Sequence, residues 1–172
     1  MKKGVIIQAS SRSNGDTHKV VTILKTITKY DVIDLNKKNI THFDYEFKNE
    51  NDDFKTLFKN VTTHYSTIVF ATPIYWYTMS GLLKVFFDRI SDFLNHEKHV
   101  GRKLRTMKMA IVSCSNENMF FNGFTMPFKK SADYLGMQYL GHIHTWVKNE
   151  NVHEDVKNII KDFAQKNLLT DV

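Results

Sequence analysis

The stretch STIVFATPIYWYTMSGLLKVFFDR, residues 66–89, decides the fold. Ser66 to Thr72 is a near-continuous apolar run, the mark of a central strand buried on both faces of a parallel sheet. It ends in Thr72-Pro73 and a loop of three aromatics, Tyr75, Trp76 and Tyr77. From Leu82 to Leu94 apolar residues then recur at helical spacing, with Leu82, Phe86, Ile90 and Phe93 on one side and Leu83, Phe87 and Leu94 beside them.

The same alternation extends in both directions. Gly4 to Ala9, Asp31 to Leu35, Met107 to Cys114 and Gln138 to Trp146 are rich in β-branched or apolar residues and predict four more strands. Helical stripes lie between and after them: Val20, Val21, Leu24 and Ile27; Phe54, Leu57, Phe58 and Val61 within 51–64; Phe128, Ala132 and Leu135 between Pro127 and Gly136; and Val152, Val156, Ile159, Ile160 and Phe163. Crossovers long enough for a helix imply right-handed connections between parallel strands. The expected fold is therefore an α/β, doubly wound, five-stranded parallel sheet with helices on both faces, in one domain over residues 1–172. Such sheets bind ligands beyond the carboxyl ends of their strands, so the loops after Ala9, Thr72 and Cys114 are the candidate sites.

Composition narrows the function classes. The 172 residues are 42% hydrophobic and 24% charged, enough for one domain and one ordinary core. No apolar run reaches the length of a membrane span, and the segment after Lys2 and Lys3 is too short for a signal-peptide core. A cytoplasmic protein is expected. The single cysteine, Cys114, can form no internal disulfide and supply no cysteine-rich metal site. The net charge of +6 would raise on-rates for anionic ligands such as nucleotides and equally suits solubility, so it permits such ligands without selecting them. The basic residues are scattered, and Arg102-Lys103-Leu104-Arg105 reads as a solvated loop, so nucleic acid is not an expected partner.

The first loop reads Ser10-Ser11-Arg12-Ser13-Asn14-Gly15-Asp16-Thr17 and opens into a helix. Hydroxyls, an amide, a flexible glycine, an arginine and the free N–H groups of a helix start suit a phosphate. It is neither a G-x-G-x-x-G fingerprint nor a Walker loop, which points to a monoester phosphate rather than a dinucleotide. These residue types also suit an ordinary turn with Asp16 or Thr17 as helix cap. In the second loop, Pro73 and the aromatics offer flat apolar surface and exposed backbone, suited to a flavin ring or a stacked nicotinamide. Three consecutive loop residues cannot all point into one core.

Two motifs resemble the flavodoxin-like NAD(P)H-dependent FMN reductases: SSRSNGDT at residues 10–17 is similar to that family's phosphate loop, and TPIYWYTMSGLLKVFFDR at 72–89 to its flavin segment. The resemblance implies a strand order of 2-1-3-4-5 and bound FMN, with NADPH or NADH as co-substrate. It further implies that Ser10, Arg12, Ser13, Asn14, Gly15, Asp16 and Thr17 surround the phosphate, that Pro73, Ile74, Tyr75, Trp76 and Tyr77 line the isoalloxazine ring, and that Ser113, Cys114 and Ser115 begin a third flavin loop. Ala9, where the family has glycine, and Asp16, where asparagine is common, depart from the pattern; an acidic Asp16 repels a phosphate unless its carboxylate caps the helix and points away.

Tyr77, Phe120 and Phe121 are the expected substrate-pocket residues, while Trp146 suits the core. His96 and His99 miss the spacing of a helical zinc site, and His142 and His144 share a strand face without a third ligand, so no metal is expected. The implied activity is hydride transfer from NAD(P)H to FMN and onward to a quinone, flavin, nitro or azo acceptor, with no side-chain acid, base or nucleophile required. A flavodoxin-type electron carrier and a flavin-binding regulatory module are the rival readings. The two-sided apolarity of Leu82–Leu94 predicts a homodimer.

Overall fold

The computed structural model describes residues 2–119 and 121–170. Five strands, β1 (Lys2–Gln8), β2 (Asp31–Asp34), β3 (Tyr65–Pro73), β4 (Lys108–Ser115) and β5 (Gln138–Trp146), pair in parallel in the order β2-β1-β3-β4-β5. This is the expected doubly wound sheet. Its crossovers carry α1 (Asp16–Thr28), α2 (Phe54–His64), α3 (Gly81–Asn95) and α5 (Met126–Leu135), and α6 (Glu154–Phe163) follows β5. A short α4 (Lys98–Gly101) and a 3₁₀ turn (Arg102–Thr106) lead into β4. No described helix is long and apolar enough to cross a membrane.

Alternation along the strands divides the interior into two layers. Ile6, Val69, Ala71, Ala110, Val112 and Cys114 meet Val20, Val21 and Leu24 of α1 and Val156 and Ile160 of α6. Val5, Ile7, Ile68, Phe70, Met109 and Ile111 meet the apolar faces of α2, α3 and α5. In the second layer Phe54, Phe58, Phe86 and Phe93 make an aromatic cluster with ring centroids 4.5 to 6.5 Å apart.

Two sequence expectations change. The 102–105 stretch is not a solvated loop: it is a 3₁₀ turn whose Leu104 is buried, with its cations pointing outward. On α3 the core face is Leu83, Phe86, Ile90 and Phe93, with Leu82 only half-buried. Ser80 caps the helix by accepting from the Leu83 N–H. Phe87 packs within the chain against Phe70 and Phe128, at 5.0 and 5.9 Å.

The aperiodic segment 36–50 is held by one buried cation. Arg89 of α3 is 1% exposed, donates to Asp52, to Asp92 at 2.7 Å and to the Thr41 carbonyl at 2.9 Å, and lies over the Phe54 ring. Burial alone would raise the Asp52 carboxyl, but hydrogen bonds from Arg89 and Thr41 outweigh it and hold it below the usual range. At the far end of the sheet, Gly4 makes room for the Tyr30 ring, since a Cβ there would lie 2.2 Å from it. The Tyr30 hydroxyl donates to the Leu168 carbonyl at 2.8 Å, in the π turn (Ala164–Leu168) after α6.

Candidate functional site

The first loop leaves β1 at Gln8 and enters α1 through Gly15, an N-cap with no side-chain bond to the helix. Neither Asp16 nor Thr17 is the cap. The His18 N–H donates to the Gly15 carbonyl at 3.0 Å, and the N–H groups of Asp16 and Thr17 are left toward an anion, with the helix dipole behind them. A Cβ on Gly15 would sit 3.2 Å from Arg12 Nε, so the absent side chain lets the exposed Arg12 lie across the helix start. Ser10 and Thr17 are buried beneath the loop and Asn14 is exposed. Asp16 is bound at 3.0 Å by Lys19, which offsets its charge locally.

Residues outside the motif set this loop's shape. Gln8, 1% exposed after the apolar run Val5-Ile6-Ile7, donates to the Ser13 carbonyl at 3.0 Å and holds the His18 ring at 3.0 Å. Asn36, just past β2, donates to Ser13 Oγ at 3.2 Å. A buried glutamine among β-branched residues is a legible signal, because an amide without partners there would cost about 1–3 kcal/mol. Sequence reasoning passed over it.

Beyond β3 the chain makes a two-residue hairpin, Tyr75 and Thr78 exchanging N–H to carbonyl bonds at 3.0 and 3.1 Å. Trp76 and Tyr77 occupy its corner at φ 47° and 65°, where Asn and Gly are the usual residues. Two bulky side chains in the left-handed region cost about 1–2 kcal/mol each. Strain of that kind clusters at ligand clamps. The turn points its aromatics outward: Trp76 is 91% exposed and Tyr77 63%. Pro73, by contrast, is buried as the last residue of β3.

The three candidate loops meet. Ser11 Oγ lies 3.0 Å from the Tyr75 hydroxyl, joining the first loop to the second. Behind them Ser80 Oγ donates to the Ala9 carbonyl at 2.6 Å while the Ser80 N–H donates to Thr72 Oγ1. Ile74 donates to the Cys114 carbonyl, and the Tyr77 ring packs edge-on to Phe121 at 4.8 Å. Ile74, Trp76, Tyr77, Ser115, Glu117, Met119 and Phe121 enclose an open cleft of about 250 Å³. Phe120 lies outside the described residues.

The third loop's first residues divide. The Cys114 side chain is buried in the α1 layer beside Thr17 and Thr145, and burial pushes its thiol up to about 11. It is a protonated core residue rather than a surface nucleophile. Ser113 is fully buried, its hydroxyl between His142 Nε2 at 2.8 Å and His144 Nδ1 at 2.9 Å. Ser115 alone reaches the cleft. Trp146 is half-buried against the α1 and α6 layer.

This arrangement fits FMN in each part: an uncapped helix start with hydroxyls and Arg12 for a phosphate, exposed aromatics for a ring, and a cleft between them and the third loop. Residues 2–167 match a family described as having a flavodoxin-like fold. A Bacillus subtilis (strain 168) protein, provisionally named NAD(P)H-dependent FMN-containing oxidoreductase YwqN, is 28% identical over 153 residues, covering 82% of this chain and 83% of that protein. Among solved structures, the Trp repressor binding protein from Bacillus subtilis superposes with a TM-score of 0.72 at 20% identity over 99% of each chain. An FMN-dependent NADH-azoreductase from Bacillus anthracis, in complex with FMN, gives 0.70 at 13% identity over 95% of this chain and 98% of that one.

Proposed function

The chain belongs to the flavodoxin-like fold family, and from that premise we propose that it is an FMN-dependent NAD(P)H oxidoreductase, a single domain over residues 1–172. The observation that carries the reading is the convergence of the uncapped α1 start and the exposed Trp76–Tyr77 corner, tied together by the Ser11–Tyr75 bond. The relative named for FMN and NAD(P)H supports it.

When bound, FMN supplies the two-electron chemistry, taking hydride from NADH or NADPH and passing electrons to a quinone, flavin, nitro or azo acceptor. The chain's own residues bind and orient. Ser10, Arg12, Ser13, Asn14 and Thr17, with the N–H groups that follow Gly15, hold the phosphate, while Lys19 keeps Asp16 from opposing it. Ile74, Tyr75, Trp76 and Tyr77 face the ring, Ser115 borders it, and Tyr77 with Phe121 forms the wall against which nicotinamide and acceptor stack in turn. Pro73, Ser113 and Cys114 act from beneath, through backbone and packing. No acid, base or nucleophile is needed.

The protein works in the cytoplasm as a homodimer. The groove between α3 and α5, lined by Phe87, Ile90, Leu94, Pro127 and Tyr134, is the contact surface, with Tyr134 81% exposed. A flavodoxin-type carrier is disfavoured by the net charge of +6, since such carriers use acidic surfaces to steer toward basic partners. The test is a titration with FMN followed by steady-state oxidation of NADH and NADPH with a quinone and an azo dye. Yellow protein with turnover is expected. Protein that stays colourless after saturation and desalting overturns the reading, and flavin binding without turnover transfers it to the carrier or regulator.

A further inference from the structure

The hydroxyl of Ser113 and the two imidazoles of β5 form a hydrogen-bond chain whose direction is determined at one end. His144 Nε2 lies 3.0 Å from the Glu117 carbonyl, which only accepts, so this nitrogen carries the hydrogen. In the neutral ring Nδ1 is then bare and accepts from Ser113 Oγ. Ser113 has one hydrogen and has spent it, so His142 Nε2 must donate to it. Burial, with His144 and Lys129 acting in the same sense, lowers His142 to about 4, so its ring is neutral at ordinary pH and keeps that single hydrogen.

The output of the chain is the loop after β4. The Glu117 carbonyl takes hydrogens from both His144 Nε2 and Ser115 Oγ, the latter at 2.7 Å, while the Glu117 N–H returns to Ser115 Oγ at 3.3 Å. These bonds close the turn that places Ser115, Glu117 and Met119 along the cleft beside Trp76 and Tyr77. We propose that His144 is a positioning residue that holds the third loop of the site in its cleft-lining conformation, its Nε2–H tautomer set by the Glu117 carbonyl and passed through Ser113 to His142. The role in ligand binding rests on the FMN reading; the hydrogen-bond chain does not.

The test has one arm for each. Long-range ¹H–¹⁵N spectra of the histidine rings at pH 8 should show both His142 and His144 as Nε2–H tautomers in the flavin-free protein; an Nδ1–H form of His144 overturns the proposal. In His144→Leu, the Glu117 amide, which donates to Ser115 Oγ, should exchange about tenfold faster, the factor for one ordinary hydrogen bond. FMN should bind weaker by a similar factor. His144→Gln, which keeps a donor near the Nε2 position, should restore both to within about threefold. Unchanged loop exchange in His144→Leu, or no rescue by glutamine, also overturns it. Should the leucine variant fail to fold, Ser113→Ala breaks the chain between the rings and is expected to release His142 from the Nε2–H form while His144 keeps it; a His142 signal still purely Nε2–H refutes the relay. If the native protein binds no FMN, the proposed function fails while the tautomers and the exchange rates still decide this proposal.

Discussion

The loops after β1 and β3 stand 3.0 Å apart at Ser11 and Tyr75, yet they are built on opposite principles. The first is polar, its shape set by the buried Gln8 and by Asn36, and its attraction for an anion comes from open N–H groups and Arg12. The second is apolar and strained, with Trp76 and Tyr77 held at positive φ by the Tyr75–Thr78 bonds and presented to solvent. Phosphate recognition needs fixed donors and charge, which a relaxed loop supplies at little cost. Ring recognition needs flat surface kept out of the core, and here the backbone is bent against its preference to provide it. Under the proposed function, the two loops would take different parts of the same ligand.

Riboflavin, which lacks the phosphate, separates them. Arg12→Glu should have the largest effect: FMN affinity falls by about a hundredfold or more as an attractive charge becomes repulsive, while riboflavin affinity and apo-protein melting stay put. Equal losses for both ligands would erase the division of labour. Ser10→Ala should weaken FMN about tenfold to a hundredfold, the equivalent of roughly 1.5–3 kcal/mol for a charge-assisted bond, again sparing riboflavin in a calorimetric titration. A fall in melting temperature with FMN affinity kept within about twofold would mark the first loop as a structural turn.

Trp76→Gly acts on the other loop and in the other sense. Removing a side chain from the left-handed region should stabilise the apo-protein by about 0.5–1 kcal/mol, the strain relieved less the added chain entropy of glycine. Both flavins should bind several-fold weaker and by the same factor. A destabilised variant in urea melts would mean that the indole packs rather than waits for a ligand. The smallest effect belongs to Cys114: with its thiol near 11, labelling by a disulfide reagent at pH 8 should be negligible in native protein and complete in denaturant.

What could be read in advance follows the range of the forces involved. The strands were legible because runs such as Ile68-Val69-Phe70 are apolar on both faces, and the aromatic loop because three adjacent rings have no common core to enter. On α3 the grouping of Phe86, Ile90 and Phe93 was legible from their spacing, and only the first turn differs, where Leu83 rather than Leu82 is the buried residue. Arg102–Arg105 misled because its cations outnumber the one buried Leu104 that anchors it. The supports of the site were least legible. Ser80 answers Ala9 across 71 residues, and Ser113 answers His144 across 31, so no local pattern announces either pair.

The bond between Tyr30 and Leu168 has a consequence for synthesis. Residues 2–115 contain four of the five strands, and that portion leaves the ribosome well before Leu168 is added. Until then the Tyr30 ring rests in the space left by Gly4 without its Leu168 acceptor, and the α1 layer lacks Val156, Ile160 and Phe163. The nascent sheet therefore waits with that face covered by α1 alone, in a state where exposed hydrophobic surface and aggregation compete with folding. The arrival of residues 154–168 completes that layer, so the last-made helix closes a core begun by the first strand.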